Sequence, residues 1–267
     1  MPWARDTWRP SLQPADEQGY LIVAVNSDKV DYQACARTLA KTIRYWDPSA
    51  RICLVTDSPD TDPLYDHHRQ IVPSTNPYAN DAQLFRLTPF RETIKLEADM
   101  LIVSPVDHWW TQFRHRDVVV STGCRDWQDR VSTARHYRRV FDANILPDVY
   151  NAVTYWRRSE TAKEFFSWVG NIFANWAEFK KLIKFPDEVP STDLVYAMAA
   201  EIMGPDRVTM PFSTYPKIVH MKRHIAGTHT EHWLDELVWE YQDCRLRIQT
   251  VPQTGAFHYH VKDWQAQ

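Results

Sequence analysis

Apolar runs alternate with polar turns along the first hundred residues, and each run has the length of one strand or helix. The continuous apolar run over 19–25 predicts a buried strand, because strands covered on both faces lack polar alternation. Apolar residues at helical spacing over 31–45 predict a helix with Asp31 as its N-cap. Further strands are predicted over 51–56, 67–72 and 94–103, with a turn cluster over 57–63 and a short helix over 82–87.

The second half of the chain continues this alternation less regularly. Strands are predicted over 118–122, 149–156, 218–221 and 256–261, and helices over 160–179 and 191–202. Several tryptophans are expected in the core: Trp109, Trp110, Trp156, Trp168 and Trp176. Strands alternating with helices indicate an α/β fold with a parallel-rich sheet, which binds ligands beyond the carboxyl ends of its strands. We expect a polar leader over 1–18 and a single domain over 19–267.

Composition narrows the functional classes. A net charge of −3 over 267 residues does not mark a general nucleic-acid binder. The four cysteines form no C-x-x-C pair, and no signal peptide or membrane-spanning run is found, so we expect a cytoplasmic protein without a membrane partner. None of the six glycines forms a phosphate-binding loop, so a bound nucleotide would need a metal ion and cationic side chains.

Two carboxylates one residue apart, Glu97 and Asp99, are the strongest candidate chemistry. Apolar segments flank them, and positions i and i+2 of a strand share one face. Two carboxylates so placed form half of a site for a hard divalent cation, with water and phosphate oxygens completing it. On spacing alone, a solvated strand end is equally typical. The pair Asp60 and Asp62 lies in a Pro-flanked turn, where aspartates usually cap their own backbone.

The stretch from Ile94 to Ile102 resembles the metal-binding strand of the GT-A fold glycosyltransferases, and is most similar to their glycogenin and bacterial galactosyltransferase-like group. The usual Leu-Asp-Ala-Asp of that group has Glu97 in place of its first aspartate. Other segments resemble the family in the same chain order: Leu21–Asn26, Asp31–Tyr32, Leu54–Asp57, Arg86, Val149–Tyr155, Ser191–Asp193 and Phe257–Trp264.

This resemblance implies a GT-A-like (Rossmann-like) single α/β domain, with a mixed central sheet flanked by helices. It implies a hexosyl- or pentosyltransferase that uses a UDP-sugar donor and Mn²⁺ or Mg²⁺. Donor-binding roles fall on Ala24, Asn26, Tyr32, Asp57, Arg86, Asn151 and Lys262. Metal-binding roles fall on Glu97, Asp99, and His258 or His260. A catalytic role falls on Asp99 and on Asp193, which could stabilise an oxocarbenium ion or simply favour its helix N-terminus.

The C-terminal histidines have two interpretations. On a strand over 256–261, His258 and His260 would share a face with Lys262, so that one imidazole completes the metal site and Lys262 holds the β-phosphate. The alternative is a strand edge with exposed histidines. His220 and Lys222 repeat the pattern and are rivals for the same role, or could help to bind the acceptor.

The segment from Arg125 to Val140 is the candidate acceptor region. It holds five arginines and two aspartates, with aromatic residues between them. Cations and aromatics suit a phosphate backbone and an unstacked base, although an ordinary solvated helix and loop has the same composition. The acceptor-binding candidates are Arg135, Tyr137, Arg138 and Arg139.

The leading acceptor hypothesis is DNA with hydroxymethylated pyrimidines, from a second resemblance to glycosyltransferase-like proteins of tailed bacteriophages. Such a protein would act in the host cytoplasm. A saccharide or protein acceptor is the alternative. Two other classes stay open: a non-catalytic binding protein on a transferase scaffold, and a metallohydrolase that uses His220, His224, His258 and His260.

Overall fold

A computed structural model describes residues 17–59, 62–132, 138–211, 216–225, 229–262 and 264. Its strands are β1 (Gln18–Val23), β2 (Ile52–Thr56), β3 (His67–Gln70), β4 (Glu92–Glu97), β5 (Met100–Ile102), β6 (Val118–Thr122), β7 (Cys124–Arg125), β8 (Val131–Ser132), β9 (Val149–Arg157), β10 (Ile218–His220), β11 (Trp239–Gln242), β12 (Arg245–Ile248), β13 (Val251–Pro252) and β14 (Ala256–His258). Its helices are α1 (Tyr32–Trp46), a 3₁₀ helix (Pro77–Gln83), α2 (Leu84–Leu87), α3 (His108–Phe113), α4 (Arg138–Ala143), α5 (Glu160–Ala174), α6 (Trp176–Ile183), α7 (Thr192–Met203), α8 (Pro205–Val208) and α9 (Trp233–Glu236).

The main sheet has six strands in the order β3-β2-β1-β4-β9-β6. The four strands from β3 to β4 are parallel, whereas β9 is antiparallel to both of its neighbours. Val23 of β1 lies beside both Val55 and Glu97, so the carboxyl ends of three parallel strands meet at one edge. This arrangement confirms the expected α/β fold with a mixed central sheet.

Helices cover both faces of the main sheet, as is typical where parallel strands alternate with helices along the chain. Ile22 and Leu54 face the core that includes α1 and α3, while Leu21 and Val55 face the core that includes α5 and α7. Buried tryptophans in these cores confirm the expectation for Trp109, Trp110, Trp156 and Trp176, while Trp168 is partly buried. Among the described residues, no helix is both long and apolar enough to cross a membrane.

The helices predicted over 31–45 and 191–202 begin next to their capping residues, Asp31 and Ser191. The Asp31 carboxylate accepts a hydrogen bond from the Ala34 N–H at 2.9 Å, and Ser191 Oγ accepts one from the Leu194 N–H at 3.3 Å. The helix predicted over 160–179 is instead two helices. Asn175 lies between the two helices, and its backbone N–H, at 3.0 Å, and its side-chain amide, at 2.9 Å, both donate to the Asn171 carbonyl.

A second sheet has five strands in the order β5-β14-β10-β7-β8, and its strand β5 directly follows β4 of the main sheet in the sequence. The chain leaves the main sheet after Glu97 and enters this second sheet at Met100. The single strand predicted over 94–103 is therefore two strands in different sheets. A separate antiparallel sheet, β11-β12-β13, precedes β14 and was not predicted.

Candidate metal and nucleotide site

Glu97 and Asp99 lie at the junction of the two sheets. Glu97 is the last residue of β4, and Asp99 lies in the turn that leads to β5. The prediction that strand alternation places both carboxylates on one face is wrong, because the strand ends between them. The turn nevertheless brings them together: one ligand atom each from Glu97, Asp99 and His258 all lie within 4.8 Å of one another.

His258 reaches the acidic pair from β14, the antiparallel neighbour of β5. Strand register places it opposite Met100, the residue after Asp99. Its Nε2 lies 2.7 Å from Asp99 Oδ2, and its Nδ1 lies 3.3 Å from Glu97 Oε2. The Tyr259 N–H donates to the Asp99 carbonyl at 3.3 Å, which ties the turn to the end of β14. Backbone pairing thus positions the imidazole between the two carboxylates.

Lys262 brings a positive charge onto this acidic group, because its ammonium forms an ion pair with Asp99 Oδ2. Burial lowers the pKa of Lys262, and the Glu97 carboxylate opposes that shift. Burial also lowers the pKa of His258, with Glu97 again opposing. Asp99 and His258 are each 4% exposed. Two carboxylates and a neutral imidazole form a donor set that suits Mn²⁺ or Mg²⁺, so the residues present fit such an ion.

A second group of side chains adjoins the first and shares His258. The ring of His260 stacks on that of His258 with centroids 3.8 Å apart, and its Nε2 lies 3.1 Å from His220 Nδ1. The Tyr150 hydroxyl contacts both Nδ1 of His258 and, at 2.7 Å, Nδ1 of His220. One ligand atom each from His220, His258 and His260 lie within 4.8 Å of one another.

The predicted strand face shared by His258, His260 and Lys262 is wrong. β14 ends at His258, and His260 has a positive φ of 55°, which takes the chain out of the strand. His258 therefore contacts the acidic pair, whereas His260 faces the histidine group. The rival His220 lies opposite His258 on β10, and His224 is exposed.

A buried polar layer lies next to the acidic pair. Lys95 Nζ donates to the Asn151 carbonyl at 2.9 Å and pairs with Asp81 Oδ2 at 3.5 Å and Glu97 Oε1 at 3.8 Å. The Asn151 N–H donates to Asp193 Oδ1 at 2.7 Å, and its side-chain amide donates to Asp81 Oδ2 at 2.9 Å. This layer brings Asn151 and Asp193 together beside the acidic pair.

Sequence reasoning missed three members of these groups. Lys95 had a usable signal, since it is a charged residue between Ile94 and Leu96 in a buried strand. Tyr150 and Asp81 had none, because their role depends on partners that lie far away in the sequence.

The donor-binding candidates near β1 and β2 also lie at the carboxyl edge of the main sheet. Asn26 Oδ1 accepts a hydrogen bond from the Gln33 N–H at 3.0 Å. Lys262 Nζ lies 5.6 Å from the centre of the Tyr32 ring, so the start of α1 adjoins the acidic group. Ala24 is buried, and its N–H donates to the Val55 carbonyl at 2.8 Å. Asp57 follows β2 directly and is partly exposed.

Other candidates lie away from this edge or outside the described residues. Arg86 is exposed at the end of α2 and lines a cleft against α5 that includes Lys163. Asp62 Oδ1 accepts from the Leu64 N–H at 3.0 Å, as expected for a turn aspartate. Arg139 is exposed on α4. Asp60, Arg135, Tyr137 and the side chain of Arg138 lie outside the described residues.

Comparison with protein-family models and with curated protein sequences gave no match. Solved structures do match. The galactosyltransferase LgtC, in complex with donor and acceptor sugar analogs, is similar over 92% of this chain and 89% of its own, with a TM-score of 0.54 and 13% identity. The apo form of mouse xyloside xylosyltransferase 1 is similar over 94% of this chain and 100% of its own, with a TM-score of 0.50 and 9% identity.

These matches define the class of fold. The chain has the mixed α/β fold of the GT-A glycosyltransferases, as its resemblance to that family implied. The matches cover 89% and 100% of the two solved proteins, both of which are glycosyltransferases.

Proposed function

We propose that this protein is a metal-dependent glycosyltransferase that moves a sugar from a UDP-sugar to an acceptor hydroxyl. The observation that carries the proposal is the group formed by Glu97, Asp99 and His258, whose ligand atoms lie within 4.8 Å of one another. This group lies at the carboxyl ends of parallel strands, where open α/β sheets bind their ligands. The fold shared with solved glycosyltransferases supports the same reading.

Glu97, Asp99 and His258 would hold Mn²⁺ or Mg²⁺ together with the donor diphosphate. When bound, such an ion supplies Lewis-acid charge that stabilises the departing nucleotide. Lys262, which pairs with Asp99, adds a fixed positive charge where phosphate oxygens would lie. Tyr32 and Asn26 lie on the same edge and would contact the nucleoside.

The transfer breaks the bond between the anomeric carbon and the β-phosphate oxygen, which leaves with the electron pair as UDP. A new bond forms between the anomeric carbon and the acceptor oxygen, whose proton is released. Asp193 and Asn151 are hydrogen-bonded to each other beside the acidic pair, where they would orient the sugar. Lys95 fixes that layer through the Asn151 carbonyl.

For the acceptor, we propose DNA with hydroxymethylated pyrimidines. The support is the arginine-rich segment from Arg125 to Val140, with a local charge of +3 from five arginines and two aspartates. The residues that begin this segment, including Trp127, line a cleft beside His220, next to the metal and nucleotide site. Transfer to a saccharide or a protein, with no transfer to such DNA, would replace this acceptor assignment and leave the donor chemistry unchanged.

The central experiment measures UDP release from a UDP-sugar with Mn²⁺, with and without acceptor, for the wild type and for Asp99→Asn. Metal-dependent turnover should fall by more than about 100-fold, because even outer-shell partners of a metal ion contribute up to that factor. Asp107→Asn, at an exposed aspartate just before α3, is the matched control and should keep full turnover. Full metal-dependent turnover in Asp99→Asn would refute the proposal.

A further inference from the structure

We propose that His220, His258 and His260 form a second metal site, which takes a transition-metal ion that prefers imidazole ligands, such as Zn²⁺. We also propose that this ion competes with the acidic pair for His258. The second statement rests on the proposed function of Glu97 and Asp99, whereas the first does not.

The geometry of the three rings fits a tetrahedral ion. Their ligand nitrogens lie within 4.8 Å of one another, and His220 Nδ1 lies 3.1 Å from His260 Nε2. Zinc–nitrogen bonds of about 2.0–2.1 Å in a tetrahedral site place neighbouring nitrogens about 3.4 Å apart. The Tyr150 hydroxyl, 2.7 Å from His220 Nδ1, lies where it could hydrogen-bond to a fourth ligand. Small side-chain movements would bring the three nitrogens onto one ion.

The rings of His258 and His260 stack with centroids 3.8 Å apart, so two imidazole ligands already lie side by side. The positive φ of His260, 55°, is an uncommon conformation for a residue with a side chain, and such strain often occurs at binding sites.

Competition follows from the chemistry of a single imidazole. A neutral ring carries one lone pair, so His258 can offer Nε2 or Nδ1 but not both. With Nε2 free, it binds beside Asp99, and Nδ1–H donates to the Tyr150 hydroxyl. With Nδ1 free, that nitrogen is available beside the Tyr150 hydroxyl, which also contacts His220 Nδ1, and Nε2–H donates to Asp99. Occupancy of one site therefore withdraws His258 from the other.

The order of metal affinities favours the histidine site for Zn²⁺. Affinity at a nitrogen site rises from Mn²⁺ to Zn²⁺, whereas carboxylate sites suit Mg²⁺ and Mn²⁺. His220 borders a cleft lined by Trp127, Ser132 and His224, which gives an ion a route to the site. We therefore expect Zn²⁺ to inhibit Mn²⁺-dependent turnover by occupying the histidine site.

Cobalt(II) titration of the metal-free protein tests the site without donor or acceptor, since tetrahedral Co²⁺ absorbs visible light. The wild type should bind one Co²⁺ with a tetrahedral spectrum, and Zn²⁺ should displace it. His220→Ala and His260→Gln should each weaken this binding by at least about 10-fold. His224→Ala, an exposed histidine near the same cleft, is the matched control and should keep the spectrum.

A tetrahedral Co²⁺ spectrum that is unchanged in both His220→Ala and His260→Gln would overturn the second site. Thermal melts of the metal-free variants show that they fold, and the glutamine variant keeps a polar side chain if alanine does not fold. The two proposals fail separately. Histidine-dependent Co²⁺ binding in a protein without UDP-sugar turnover supports the second site and refutes the transferase. The reverse result refutes the second site alone.

Discussion

At the scale of single residues, the buried ammonium group of Lys95 is expected to contribute strongly to the stability of the fold. It lies in the interior strand β4, 3% exposed, and pairs with Asp81 at 3.5 Å. It also donates to the Asn151 carbonyl at 2.9 Å. Removing one partner of a buried ion pair leaves the other charge without compensation, which is far more costly than losing an exposed pair.

Lys95→Met should therefore destabilise the fold by about 3–5 kcal/mol, because the Asp81 carboxylate loses its counter-charge. The measurement is the free energy of unfolding in a denaturant titration. Lys163→Met is the matched control: its pair with Glu160 is exposed, so it should cost less than about 1 kcal/mol. The double variant Lys95→Met with Asp81→Leu should recover part of the loss. Equal stability of Lys95→Met and the wild type would contradict the assigned pairing.

Candidate site residues could be predicted where a local motif marked them. Motif order marked Glu97, Asp99 and either His258 or His260, and the structure brings His258 to the acidic pair. Tyr150 and Asp81 were not predicted, because a hydrogen bond between residues 108 or 70 positions apart leaves no local trace. Alternation of faces also failed for Glu97 and Asp99, since it assumes a continuous strand.

At the scale of elements, the turn before β14 determines where His258 lies. Gly255 has a φ of +76°, which disfavours any residue with a Cβ. A Cβ there would lie 2.2 Å from the Lys217 carbonyl oxygen, a backbone atom that cannot move aside easily. The same glycine accepts from the Val103 N–H at 3.0 Å, which joins the turn to the end of β5.

Gly255→Ala should lower the unfolding free energy by more than about 1–2 kcal/mol, the cost of the left-handed conformation alone. It should also lower metal-dependent turnover, because β14 and His258 shift. The checks are a denaturant titration and the UDP-release assay. Gly170→Ala in α5 is the matched control: its Cβ would meet only Ala82 at 3.8 Å, so it should stabilise by about 0.5–1 kcal/mol. If Gly255→Ala left the unfolding free energy and the turnover unchanged, the proposed role of this turn in positioning His258 would be contradicted.

The arginine-rich segment is a separate element-scale case, since it bears on the acceptor and not on the metal site. Replacing Arg135, Arg138 and Arg139 with alanine should weaken DNA binding and reduce the slope of log K against log salt by up to about 3, near 0.9 for each lost phosphate contact. Fluorescence anisotropy with duplex DNA at several salt concentrations measures this. Unchanged affinity and slope would count against DNA as the acceptor, while UDP release by the same variant reports on the donor site separately.

At the scale of the whole molecule, the proposed site lies where two sheets meet. β4 of the main sheet supplies Glu97, and β14 of the second sheet supplies His258. The α/β class and its parallel strands were predictable from strand–helix alternation, whereas the mixed sheet was implied by the order of GT-A-like segments. The second sheet was not, because alternation within a strand does not say which sheet it joins. The sequence of β11–β13 alone does not show whether this segment forms a separate sheet or a loop.

Because a donor bound at this junction would contact strands of both sheets, we expect its binding to raise the melting temperature. A ligand that contacts β1, β4 and β14 together stabilises the folded chain over the unfolded one, by about 2.7 kcal/mol at a hundred times its dissociation constant. For a chain of this size we expect UDP with Mn²⁺ to raise the melting temperature by roughly 5–10 °C.

The rise should exceed the sum of the separate shifts from UDP and Mn²⁺, because the diphosphate and the ion complete each other's binding site. Differential scanning fluorimetry with UDP, ADP and GDP, each with Mn²⁺ or EDTA, measures this coupling. Asp99→Asn should keep the shift from UDP alone and lose the added shift from Mn²⁺. A shift for UDP with Mn²⁺ that is no larger than the sum of the two separate shifts would mean that the ion and the nucleotide bind independently. In that case Glu97, Asp99 and His258 would not join the two sheets through the donor diphosphate.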